Sequence, residues 1–178
     1  MTERLVWDAS ALHHAALADR LDVLHDLACG APQRPWRHVT TAAVLDELSS
    51  HGFNSSAFGW LQTVHVDGID ELHCLVTWMQ RVGATERWHR GEATVFAWAD
   101  RNDAVAVIDD QSARRAAQQY GLEAHGTLWV MAKGVEHGRA TVESASSLAD
   151  MLLKHGAHYP FEVGGFRHWA KCQGLLPL

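Results

Sequence analysis

"VAVIDDQSARRAAQQYGLEAHGT", residues 105–127, decides how this chain is to be read. An apolar run of strand character, Val105 to Ile108, ends abruptly in two aspartates, Asp109 and Asp110. Adjacent carboxylates repel, and Asn, Ser or Gly would make the same turn without the repulsion. Behind the pair stands a helix that buries Ala113, Ala116, Ala117 and Tyr120 and exposes Arg114, Arg115, Gln118 and Gln119. A short strand, "LEAH", then enters a helix near Thr127–Val135. Apolar, poorly alternating strands between helices predict a parallel sheet covered on both faces.

The same alternation extends toward the start of the chain. Arg4 to Asp8 reads as a short strand ending in an acid, followed by a helix with Leu17, Leu21, Leu24 and Leu27 on one face. "CGAPQRPW" is a loop, and "RHVTTAAVLDELSSHG" is a very short strand running into a helix, with Thr40 or Thr41 as N-cap and Gly52 as the stop. "LQTVHVDG" is a third strand, leading to an amphipathic helix with Ile69, Leu72, Val76, Met79 and Val82 on one stripe. "GEATVFAWADRND" is a helix apolar enough to be largely buried. After the central stretch come a helix around Glu143–Lys154 and a tail of glycines and aromatics. With no repeat, low-complexity tract or long linker, one domain over 1–178 is expected, its motif-bearing core about 5–135 and a C-terminal helix and tail over 141–178.

Composition narrows the function classes. Of 178 residues, 47% are hydrophobic and 20% charged, the balance of a soluble globular protein. No apolar run approaches the ~20 residues of a membrane helix. "MTERLVWDAS" has no basic-then-apolar signal, so a cytoplasmic protein is expected. Cys29, Cys74 and Cys172 form no CxxC pair and point to free thiols. The net charge of −6 argues against a protein that coats nucleic acid, yet leaves room for an enzyme that meets one briefly. Thirteen histidines lack HExxH or cysteine partners and read as scattered surface and packing residues.

In parallel sheets the ligand crevice lies outside the carboxyl ends of the strands. Asp8 closes the first strand and Asp109 a later one, so both are expected there. Carboxylates gathered in a low-dielectric cleft repel unless a cation sits among them. Acidic, oxygen-only clusters suit Mg²⁺ or Mn²⁺. Glu47, flanked by apolar Leu45 and Leu48, and Glu92, directly after Gly91, are two further acids in suggestive settings. Each alone reads more readily as a solvated face residue or a charge favoured by a helix start than as a functional acid.

The ordered set "VWDAS", "VLDEL", "GEATVFAWA", "VIDDQSARRAAQQYGL" and "GT" resembles the PIN-domain family of metal-dependent ribonucleases, in particular the bacterial and archaeal branch with a GEA helix and an IDD-x-x-AR segment. The likeness runs from about Leu5 to Val135. It implies a three-layer α/β/α sandwich with a parallel sheet of four to five strands, and a site of three or four acids holding one or two divalent ions. Position by position, the acids are Asp8, Glu47, Glu92 and Asp109 or Asp110. Ser10 in the D-x-S motif and Thr127 in the GT motif are hydroxyls near the metals by this likeness, and simple N-caps otherwise. The tryptophan-rich segment 53–90 matches no family motif and is left to shape substrate choice or a homodimer contact.

The implied chemistry is hydrolysis of RNA phosphodiester bonds with Mg²⁺ or Mn²⁺. Asp8 and Asp109 would be the principal ligands, with Glu47 and Glu92 completing the shell. Successive residues at a strand end point oppositely, so Asp109 is expected to face the metals and Asp110 to cap the following helix. Arg114, Arg115, Arg87 and Arg90 are candidates for phosphate contact, against a reading as solvated surface charge. Family members are often toxins of toxin–antitoxin pairs, held inactive by a small partner protein. Two competing readings are a PIN-like module kept for protein binding without catalysis, and a receiver-type domain. Receiver-type domains usually carry their paired acids near the first strand, whereas this pair comes late.

Overall fold

The computed structural model describes residues 3–84 and 89–177, and Arg87 lies outside them. The chain forms two compact units. One comprises Glu3–Leu12 and Arg37–Gly126, the other chiefly His13–Trp36 with the chain from Thr127 onward.

The first of these holds a five-stranded, all-parallel sheet. In chain order its strands are β1 (Arg4–Trp7), β4 (Arg37–Thr41), β5 (Gln62–Val64), β6 (Val105–Val107) and β7 (Ala124–His125). They lie side by side as β5-β4-β1-β6-β7. The central strand β1 pairs Val6 with Val39 on one side and with Ala106 on the other. Its Leu5, Val6 and Trp7 are fully buried, as are Ala106 and Val107 of β6. This is why these strands are apolar throughout instead of alternating. A central parallel sheet of five strands among helices is the α/β/α arrangement that the sequence predicts.

Helices α3 (Ala42–Ser50), α4 (Ile69–Val82), α5 (Arg90–Asn102) and α6 (Gln111–Gln119) accompany the sheet within this unit. Helix α5 packs against β1, β4 and β6, with Gly91 and every residue from Ala93 to Ala99 buried. Thr41 is the N-cap of α3, its hydroxyl accepting from Val44 N. Asp110 is the N-cap of α6, which buries Ala113 and Ala117.

The apolar stripe expected on α4 is not its buried face. Ile69, Leu72 and Val76 are 76%, 43% and 54% exposed, while Trp78 is fully buried. Trp78 packs on Phe96 of α5 at 5.2 Å between ring centroids and donates its indole N–H to Asp100 at 2.9 Å. One indole with a satisfied N–H outweighs three aliphatic side chains and rotates the helix accordingly. Tyr120, expected to be buried, is 48% exposed and lies edge-on to Trp78 under the guanidinium of Arg81.

The other unit packs α2 (Leu21–Leu27), α7 (Thr127–Glu136), α8 (Val142–Lys154) and α9 (Phe166–Cys172), with the two-residue strands β2 (Gly30–Ala31) and β3 (Arg34–Pro35). Gly134 of α7 is obligatory there, since a Cβ would stand 2.3 Å from the Leu27 carbonyl oxygen. The single helix expected from the Leu17–Leu27 spacing is two. Helix α1 (Ala9–Leu17) ends before Asp19, which adopts a left-handed φ of 53°, and α2 restarts at Leu21. Leu17 is 47% exposed as a result, whereas Leu24 and Leu27 are buried. No helix among the described residues is long and apolar enough to cross a membrane.

Candidate active site

Asp8 follows the last residue of β1 and is 2% exposed. Its N–H still belongs to the sheet, donating to Val107 O at 2.9 Å, while its carbonyl accepts from Ala11 N as α1 begins. The carboxylate caps that helix: Oδ2 accepts from Ser10 N at 2.9 Å and from Ser10 Oγ at 2.6 Å. Oδ1 is buried with no hydrogen-bond partner. A buried acceptor left unmet costs about 1–3 kcal/mol, which a proton or a cation on that oxygen would remove. Burial accordingly pushes the Asp8 carboxyl up to about 7, against the two Ser10 bonds and with added repulsion from Glu92 and Glu47.

Glu47 reaches the same place from α3. It is exposed, but its Oε2 lies 2.7 Å from where a Cβ on Gly91 would be, and Asp8 Oδ1 lies 3.9 Å from that point. Two acidic oxygens thus converge on the one residue of the α5 turn that has no side chain. Thr94 fixes that turn: its hydroxyl donates to Gly91 O at 2.7 Å and meets Thr41 Oγ1, the cap of α3, at 2.8 Å. The pair ties the start of the helix carrying Glu47 to the start of the helix carrying Glu92. Neither threonine stands out in the sequence as more than a capping or core residue.

Glu92, in the first turn of α5, keeps only 14% of its side chain exposed. Burial raises its pKa, a nearby His89 lowers it, and the charges of Asp110 and Glu47 raise it again. His89 is the N-cap of α5 with φ of 59°, and its Nδ1 lies 2.6 Å from Glu92 Oε2. Sequence reading passes over His89, because neither a backbone in the left-handed region nor an i,i+3 contact to a carboxylate shows in composition or periodicity.

Asp109 is half-buried just past β6, and its backbone N–H donates to Ser10 Oγ at 3.0 Å. A Cβ on Gly126 would sit 3.0 Å from both Asp109 Oδ1 and Arg114 Nη1. Asp110 has the capping role expected of it, accepting from Ala113 N at 2.8 Å, and its charge also bears on Glu92. Arg114 is half-buried rather than exposed, with Nη1 donating to Ile108 O at 2.7 Å. Arg115 and Arg90 are exposed. Thr127 is fully buried at the head of α7, in the other compact unit.

Among the described residues no three His, Cys, Asp or Glu side chains stand close enough to hold a metal ion together. Three of the acids instead take a donor apiece, Ser10 for Asp8, His89 for Glu92 and Ala113 N for Asp110. The donor set is nonetheless one that suits Mg²⁺ or Mn²⁺: oxygens only, with an unmet buried carboxylate oxygen at its centre. Chemically the arrangement can concentrate negative charge at the carboxyl end of β1, where a cation and the phosphate it accompanies would be accepted.

The family model described as PIN domain (DUF3368) matches residues 4–164, the greater part of the chain. No curated protein matches the sequence.

Proposed function

The chain belongs to the PIN-domain family, and from that premise we propose a divalent-metal-dependent ribonuclease that hydrolyses RNA phosphodiester bonds. PIN domains are typically nucleases, and the acidic strand end described above is what supports this reading for the present chain. One observation carries it: Asp8 Oδ1 is buried and unpartnered, and Glu47 and Glu92 bear on the same carboxyl group.

Asp8, Glu47, Glu92 and Asp109 would hold Mg²⁺ or Mn²⁺, with Asp110 an outer ligand that also caps α6. A divalent ion held there would supply Lewis-acid stabilisation of charge on the phosphate and would make bound water more acidic. The protein's own residues do the rest. Ser10 holds Asp8 Oδ2, which leaves Oδ1 as the free donor. Gly91 leaves the space in which Glu47 and Asp8 converge. Arg115 and Arg90 are free to meet phosphates along the RNA, while Arg114 acts from a half-buried position. The proposed setting is the cytoplasm, with a small antitoxin protein as partner and a homodimer as the assembly.

The test is cleavage of a structured RNA by the purified chain with Mg²⁺ or Mn²⁺, beside Asp8→Asn. Cleavage should need the metal and fall by roughly 100-fold or more in the variant. Undiminished cleavage by Asp8→Asn defeats the proposal, and metal-independent RNA or protein binding with no cleavage returns the chain to the binding-module reading.

A further inference from the structure

We propose that His89 is a positioning residue that aims the Glu92 carboxylate for the cation; this rests on the metal-dependent reading above. Three observations lead there. His89 Nδ1 lies 2.6 Å from Glu92 Oε2, as close as the Ser10 hydroxyl lies to Asp8 Oδ2. Both contacts are made to acids of the candidate site. The acid end of the pair is sheltered and the ring end open, at 14% and 45% exposure.

The third observation is the backbone. His89 has φ of 59°, a conformation that a side chain bearing a Cβ rarely adopts. Glycine at this N-cap would meet the turn freely. The left-handed geometry is also what folds residue 89 back over the first turn of α5, bringing Nδ1 onto a side chain three positions later. A surface ion pair at i,i+3 needs no such backbone. Carboxylates that bind metals are themselves held by outer hydrogen bonds, and losing one typically weakens the metal by 10–100-fold. With one oxygen fixed by His89, Glu92 has its other oxygen left to offer.

The geometry names its own controls. Asn carries a nitrogen donor at nearly the same distance from Cα as His Nδ1 and tolerates the left-handed region. Glycine tolerates the backbone but offers no donor. Calorimetric titration of Mn²⁺ into the full chain, with no RNA present, should show His89→Gly and His89→Ala weakened by about 10–100-fold. His89→Asn should stay within a few-fold of the parent. Full Mn²⁺ affinity in His89→Gly, with Asp8→Asn having lost it, overturns the role of His89 while sparing the metal site. Full affinity in Asp8→Asn overturns the metal site itself.

Discussion

The hydroxyl of Ser10 joins the end of β1 to a residue 99 positions further along the chain, donating to Asp8 Oδ2 and receiving the backbone N–H of Asp109. One side chain therefore satisfies an acid of β1 and a backbone group beyond β6. Ser10→Ala removes both bonds and leaves a buried carboxylate with one donor fewer. We expect a loss of about 1–3 kcal/mol in unfolding free energy. Because the Ser10 bonds oppose the upward shift of Asp8, its protonation midpoint should rise further, which carboxyl-resolved NMR titration would report. An unchanged midpoint would mean the hydroxyl is not what steadies the ionised form.

Gly91 and Glu47 make a second test, because the space between them is empty by necessity. A methyl group at 91 would approach Glu47 Oε2 to 2.7 Å. The obstructing atom is the end of a flexible side chain, and alanine favours a helix over glycine by about 1 kcal/mol, so Gly91→Ala should melt close to the parent. Glu47 must move aside, however, and displacement of about 1 Å can reduce activity on the order of 100-fold. A folded variant with full RNA cleavage would remove Glu47 from the site.

The raised pKa of Asp8 sets a pH dependence of definite sign. The unfolded chain releases this proton near the ordinary 3.8 and the folded chain at about 7. Between those values the folded state keeps a proton that the unfolded state has lost, so this contribution to stability is fullest on the acid side, falls as pH rises and is flat above. Glu92, also raised, acts with the same sign. Asp8→Asn should thus gain in Tm relative to the metal-free parent between about pH 4 and about pH 7. Millimolar Mg²⁺ or Mn²⁺ should raise the parent's Tm above about pH 6 and leave Asp8→Asn nearly unmoved. Melting curves of the two proteins that run parallel across the range would contradict the assignment.

Asp109 and Asp110 divide differently under substitution. Asp110→Ala loses the bond to Ala113 N and should cost about 0.5–2 kcal/mol while retaining most cleavage. Asp110→Asn keeps a good cap and drops only the charge that bears on Glu92, so it should be as stable as the parent. Asp109→Ala should fold and be nearly inactive. Cleavage rates and Tm for the three variants decide the matter, and a dead Asp110→Asn would reverse the assignment.

The parallel sheet, the cap Asp110, the cap of α3 to within Thr40 or Thr41 and the buried helix α5 are legible in the sequence, because each is governed by nearby residues: apolar runs, a polar residue ahead of a helix, a stretch without charge. The lie of α4 is not legible, since its rotation is set by what Trp78 meets on α5, and that depends on tertiary contact. The break at Asp19 and the turn at His89 are hidden for a related reason. Both are backbone states that His or Asp tolerates but that neither residue announces. Within the site, the order of motifs indicates which acids to consider; that Glu47 meets Asp8 over Gly91, and that Thr94 locks the turn, emerges only in three dimensions.

Strand order has a consequence for how the molecule is made. Of the five strands of this sheet, the earliest to be synthesised is the middle one, with one edge awaiting β4 and the other awaiting β6, where Leu5 pairs with Val105. Until some hundred further residues have been translated, an apolar edge of β1 stays open to any passing strand. Such long-range parallel pairing is slow and exposed to aggregation. Pulse-labelled hydrogen exchange during refolding should show Val39 and Thr40 protected before Ala106 and Val107, and expression at lower temperature should raise the soluble yield by giving β1 less competition while it waits.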